Sequence, residues 1–173
     1  MRKQRLASRP GSAGFTFVEL VITVALVGVI SMASLPLVEV TSTRAKEAEL
    51  RQALRTIRAG LDAYKAAVDA GTLTKVAGES GYPPSLEILT EPLEVANKQD
   101  FGIDKPLAAQ RIVILRQLPR DPFFTDPTVP AAKTWATRSY GSKADDPQSG
   151  VDVFDVASTI TRNGLDGTAY NTW

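Results

Sequence analysis

Between Phe15 and Val38 the chain reads Phe-Thr-Phe-Val-Glu-Leu-Val-Ile-Thr-Val-Ala-Leu-Val-Gly-Val-Ile-Ser-Met-Ala-Ser-Leu-Pro-Leu-Val, 24 residues with one charge, Glu19. As a helix rising about 1.5 Å per residue, this run is roughly 36 Å long, enough to cross the hydrocarbon core of a bilayer. Ahead of it, Met1–Gly14 carries Arg2, Lys3, Arg5 and Arg9 and no acid. A basic head before a long apolar run is expected on the cytoplasmic side of a membrane, with most of the chain on the other side. The run is longer than a secretory h-region, and no small-x-small cleavage site is evident behind it.

Glu19 is the anomaly in that run. Ionised in lipid, it costs about 2.5–3.5 kcal/mol or more, so it calls for a partner. A free α-amino group at Phe15, four residues earlier, is one. That amine exists only if the chain is cut between Gly14 and Phe15. Snorkelling to the interface from the first helical turn is the other outlet. Helical geometry leaves both open.

Gly14-Phe15-Thr16-Phe17-Val18-Glu19-Leu20, behind a short basic leader and ahead of an apolar helix, resembles the class III signal of type IV pilins and type II secretion pseudopilins. The resemblance implies that a prepilin peptidase cuts after Gly14 and methylates Phe15. It also implies that Glu19 neutralises the Phe15 amine of a neighbouring subunit during assembly. Pro36 matches the position at which such helices are locally loosened in filaments. In an ordinary helix interior a proline costs about 3 kcal/mol, but neighbours can compensate, so Pro36 marks a tolerated weak point.

Composition narrows the chemistry. Removing 14 of 173 residues leaves 159, room for one domain and a long helix. The leader holds four of the 20 basic residues, so the mature chain has 16 against 19 acids, or −3. No nucleic-acid partner is expected from that balance. With no cysteine there is no disulfide and no thiolate metal site. With no histidine, serine–histidine hydrolysis and histidine-ligated zinc are excluded.

Beyond Pro36, helix propensity persists to about Ala70. Leu50, Leu54, Ile57, Leu61, Tyr64 and Val68 recur at spacings of 4, 3, 4, 3, 4, an amphipathic stripe. Arg44, Lys46, Glu47, Arg51, Arg55, Arg58, Asp62, Lys65 and Asp69 fall mostly off it. A coiled coil would give the same stripe, but only about three heptads are present. Gly71 is a natural stop. One helix over Phe15–Ala70 would be roughly 84 Å long.

Gly71–Pro84 reads as a loop, and Ser85 as the N-cap of a short helix, Leu86–Thr90. Gln110–Leu115, Thr134–Tyr140 and Val151–Ala157 are strand candidates, while Asn97–Pro106 has no clear pattern. Leu118-Pro119-Arg120-Asp121-Pro122-Phe123 is turn chemistry, with Asp121 a turn residue in preference to an acid catalyst. Trp135 and Trp173 are expected in the head's core or as a lid over it.

Gly81-Tyr82-Pro83-Pro84, then Leu86-Glu87-Ile88-Leu89, then Leu118–Phe123 is similar in order to the motifs of major type II secretion pseudopilins. Trp135–Tyr140 and Val153–Ser158 are similar to their paired strands. The resemblance implies an α+β, type IV pilin-like fold. A basic leader (1–14) precedes a long helix (15–70, its first half transmembrane and its second amphipathic), which packs on a small antiparallel sheet in a head (71–173). It further implies a homopolymer, minor pseudopilins, an inner-membrane assembly platform and the prepilin peptidase as partners, and a periplasmic filament as destination. In such proteins the C-terminal loop binds calcium through aspartates and carbonyls. The corresponding loop, Ser158–Thr168, holds one acid, Asp166, with Asp155 nearby. Calcium at Asp166 and Asp155, or plain Asn-Gly and Asp-Gly turns, are the two readings of it.

The expected role is a non-enzymatic subunit of a type II secretion pseudopilus. A type IV pilin or minor pilin is the nearest alternative, disfavoured by the missing cysteines and the Leu-Pro-Arg-Asp-Pro turn. A non-polymerising, membrane-anchored periplasmic binding module is another. An enzyme using Asp152 and Asp155 is disfavoured because an odd spacing puts them on opposite faces of a strand.

Overall fold

The structure is a computed structural model, and it describes residues 14–75, 80–96 and 111–173. Residues 1–13 of the expected basic leader and the patternless stretch 97–106 lie outside the described residues. The chain falls into two compact units, Met1–Ser42 and Thr43–Trp173.

Helix α1 covers Phe17–Asp69, 53 residues. Position 36 lies within it, although the side chains at 33–37 lie outside the described residues. In its apolar run the polar side chains of Thr23 and Ser31 satisfy themselves inside the helix, each hydroxyl donating to a main-chain carbonyl one turn back, Leu20 and Val27, at 2.8 Å. Such back-bonding lets Thr and Ser stay in apolar surroundings. Around them Phe17 is 80% exposed, Val24 65% and Met32 78%. Among the described residues no helix is long and apolar enough to cross a membrane. The span expected over Phe15–Val38 therefore rests on the sequence pattern.

The helix ends where the sequence stops it. Gly71 has φ +72°, a conformation that costs glycine nothing. Its N–H donates to the Val68 carbonyl at 3.0 Å, and the Thr72 N–H donates to the Ala67 carbonyl at 2.9 Å. This is the double closure of a Schellman C-cap.

In the second unit the stripe is buried as its spacing requires. Leu50, Ile57 and Leu61 are fully buried, and Leu54 and Val68 nearly so. Leu50, Leu54, Ile57 and Leu61 pack with Leu86, Leu89, Leu118, Trp135, Val153, Val156 and Tyr170 in one core. Among its described residues the head carries two small antiparallel sheets, in keeping with an α+β, pilin-like arrangement. Strands β1 (Leu93–Glu94) and β2 (Arg111–Ile112) form one, and β3 (Trp135–Arg138) and β4 (Asp155–Ser158) form the other, with Trp135 opposite Ser158 and Arg138 opposite Asp155.

Three expectations need correction. Ser85 is not the N-cap of a helix: Leu86 holds that position without a side-chain cap, and Glu87–Thr90 is a single 3-10 turn. The strand expected over Gln110–Leu115 is confined, among the described residues, to Arg111–Ile112, because the Leu115 N–H turns to the Leu89 carbonyl at 2.8 Å. The strand expected over Val151–Ala157 begins only at Asp155. The Val153 N–H is taken by the Pro83 carbonyl at 2.8 Å, which ties the proline loop to the sheet's edge.

Candidate assembly motif and C-terminal loop

Gly14, Phe15 and Glu19 stand together at the start of α1, all exposed, Phe15 to 81%. The Thr16 hydroxyl accepts the Glu19 N–H at 3.2 Å. Thr16 directly precedes the first helical residue, so this is an N-cap bond, and Thr16-x-x-Glu19 has the spacing of a capping box. Glu19 thus lies in the first turn, where the positive end of the helix favours a carboxylate. That local reason for an acid at position 19 was readable from the sequence and stands beside the two considered above.

The C-terminal loop is built on the later half of the helix. Glu47 is only 5% exposed. Its Oε1 accepts the Leu165 N–H at 2.7 Å and the Tyr170 hydroxyl at 3.0 Å. Burial, reinforced by that bond to Glu47, pushes the Tyr170 hydroxyl above its ordinary pKa. One turn on, Arg51 Nη2 donates to Asp166 Oδ2 at 3.0 Å, and the guanidinium carbon lies 3.9 Å from the centre of the Trp173 ring. Asp166 Oδ1 accepts the Thr168 N–H at 3.0 Å and the Thr168 hydroxyl at 2.6 Å. Those two bonds, hydroxyl first, with help from Arg51, hold the Asp166 carboxyl below the usual range. Arg58 donates to Asp155 Oδ1 at 2.8 Å, to the Val156 carbonyl at 3.0 Å and to the main-chain oxygen of Trp173 at 2.7 Å.

The structure does not bring Asp155 and Asp166 to a common point: each carboxylate faces its own arginine. Asp155 Oδ1 takes Arg58 and the Val156 N–H, and its Oδ2 lies 3.4 Å from Arg138. Among the described residues no group of three or more Asp, Glu, His or Cys side chains could hold a metal ion. Calcium wants six to eight oxygens, several of them carboxylate. A loop with one carboxylate, already bonded to a guanidinium, does not fit it.

The remaining singled-out residues have structural partners. Asp121 is buried, accepting the Phe123 N–H at 2.8 Å and the Ser158 hydroxyl at 2.5 Å, so the Leu118–Phe123 turn is pinned to β4. Trp135 lies in the core and donates to the Pro119 carbonyl at 2.9 Å. Asp152 is held by the hydroxyls of Ser80 and Ser139 and by the Tyr140 N–H. Burial works to raise its pKa, but those bonds prevail and lower it. Asp152 and Asp155 therefore serve two separate networks, not one paired-carboxylate site.

Glu47, Arg51 and Arg58 escaped the sequence reading. The signal for Glu47 was present: it sits three residues before Leu50 and extends the stripe's 3, 4, 3, 4 rhythm by one position. The partners of Arg51 and Arg58 lie 115 and 97 residues away and left no local mark.

Compared with known families, residues 9–35 match the pattern described as the prokaryotic N-terminal methylation motif. The chain carries a type IV pilin-like signal. Neither curated proteins nor solved structures give a match along the chain. The motif covers Gly14, Phe15 and Glu19, and also Arg9 and the apolar run through residue 35.

Proposed function

We propose that this chain is a non-enzymatic structural subunit of a type II secretion pseudopilus. The observation that carries the reading is the methylation motif on a helix whose apolar side chains, Phe17 to Met32, stand exposed with Glu19 as their one charge. Roughly 25 cal/mol per Å² of apolar surface favours removing such a helix from water, into lipid first and then among copies of itself. The leader keeps the precursor in the inner membrane with its N-terminus cytoplasmic. Prepilin peptidase cuts between Gly14 and Phe15 and methylates Phe15. Copies then leave the bilayer as their helices bundle. Glu19 pairs with a neighbour's Phe15 amine, a contact far stronger in a dry bundle than in water, and Pro36 is the point at which the bundled helix yields.

The order of Tyr82-Pro83-Pro84, Leu86–Leu89 and the Leu118–Phe123 turn, with no cysteine to close a loop, supports a pseudopilin over an adhesive or motility pilin. Minor pseudopilins and an inner-membrane platform complete the assembly. The driving ATPase is a separate protein, since this chain has no phosphate-binding loop.

Intact mass spectrometry of the protein from its native membrane tests the reading. The expected mass is that of Phe15–Trp173 plus one methyl group. A full-length mass, or a cut well beyond Phe15, would overturn it in favour of an anchored module that does not polymerise.

A further inference from the structure

We infer that the Arg51 guanidinium is the resident cation of the C-terminal loop, so that the loop closes on α1 with no metal ion. The loop has one carboxylate, and its Oδ2 is taken by Arg51 at 3.0 Å. The guanidinium is held twice, on its edge by Asp166 and on its face by the Trp173 ring at 3.9 Å. A planar guanidinium satisfies both at once, its edge to the carboxylate and its face stacked on the ring; an ammonium has no planar face to stack, and a metal needs a shell of oxygens. The Trp173 indole N–H in turn donates to the Thr168 hydroxyl at 2.6 Å, the same hydroxyl that bonds Asp166 Oδ1. Asp166, Thr168, Trp173 and Arg51 therefore form a closed ring of contacts.

Two neighbours on the helix fix the loop on either side of that ring. Glu47, four residues before Arg51, holds the Leu165 N–H, and Arg58, seven after it, holds the main-chain oxygen of Trp173. The seating is close. A Cβ on Gly164 would come within 2.9 Å of Trp173 and 3.0 Å of both Glu47 and Tyr170. Asp166 and Arg51 are each about half exposed, at 46%. An isolated pair at such exposure contributes little, so the latch depends on the ring face and the Thr168 bonds as much as on charge. A calcium ion at Asp166 would have to displace the guanidinium, losing the stacked contact, or sit beside it with two positive charges adjacent.

The test uses the full chain in detergent, unfolded thermally in excess calcium and in EDTA, with tryptophan fluorescence as the probe. Wild type is expected to unfold at the same temperature in both. Arg51→Gln is expected to unfold several degrees lower in both, and Arg51→Lys in between. A wild-type midpoint that rises with calcium would overturn the inference, as would Arg51→Gln melting with wild type. If Arg51→Gln does not fold, Arg51→Lys takes its place, and a wild-type midpoint for that variant overturns it equally.

Discussion

Two stretches of α1 obey opposite rules. From Phe17 to Met32 nearly every side chain is apolar and the large ones are exposed. From Leu50 to Val68 the large apolar residues keep to one face, and that face is largely buried, Leu50 to Leu61 in the core of the head. Helix propensity does not separate them, since β-branched Val and Ile crowd the first stretch and are only mildly unfavourable to a helix. What separates them is the location of the partner. A stripe one face wide can be covered by the chain's own loops and strands, whereas a cylinder apolar all round needs neighbours on every side. The first stretch states a demand that other molecules must meet; the second is already satisfied.

The contrast is broken or upheld most directly by equal truncations on the two sides. Ile57→Ala removes a fully buried side chain from the core formed with Leu54, Leu61, Leu89 and Val156. A loss of about 2–5 kcal/mol in head stability is expected, read by urea unfolding of the detergent-solubilised chain. Val24→Ala, on the exposed stretch, should leave that midpoint within about 0.5 kcal/mol. Equal losses from both variants would mean that Phe17–Met32 is covered by its own chain, which would end the distinction.

The second test sharpens the boundary of the buried face. Glu47 is an acid in an apolar stripe, tolerated because Leu165 and Tyr170 donate to it. Glu47→Ala leaves the buried Tyr170 hydroxyl without this acceptor and should cost about 1–3 kcal/mol by the same unfolding measurement. Glu47→Gln keeps one acceptor oxygen and should cost less. If alanine is silent, the buried face ends at Leu50 and Glu47 is incidental to the loop.

Much of this was legible in the residues. The stripe, the Gly71 stop and the turn at Leu118–Phe123 follow from periodicity and turn chemistry, because each depends on residues close in sequence, while the α+β make-up was implied by the resemblance. Glu47 was missed because the stripe was read by residue type, while the fold uses position: a carboxylate at a core site is stable once donors reach it. The strands were read too long for a related reason. Val151–Phe154 has strand composition, but the Val153 N–H is claimed by Pro83, some 70 residues away (153 − 83), and no local pattern records that. The calcium expectation meets the same kind of contact. Asp166 looks like an available ligand until Arg51, 115 residues earlier, is found against it.

The smallest expected effect lies in that loop and concerns acid. Asp166 titrates below the ordinary carboxylate value because the Thr168 hydroxyl and N–H, and then Arg51, favour its charged form. A carboxyl depressed on folding contributes stability that is complete above its unfolded pKa, about 3.9, and is lost as pH falls through the lower folded value. Asp152, depressed by Ser139, Ser80 and the Tyr140 N–H against its burial, acts in the same direction. The loop should therefore hold at mildly acidic pH and release only below the usual carboxylate range, followed by the fluorescence of Trp173 as its contact with Arg51 opens. Thr168→Val deletes the hydroxyl and should move the release upward in pH, toward 3.9, with a small loss of stability already present in full at neutrality. The shift is small because Asp166 is exposed, and its sign is the informative part. A release that moves downward, or not at all, would mean that Arg51 alone sets the charge state of Asp166. The second half of the helix would then hold the loop by charge, without the hydroxyl network that distinguishes it from the bare first half.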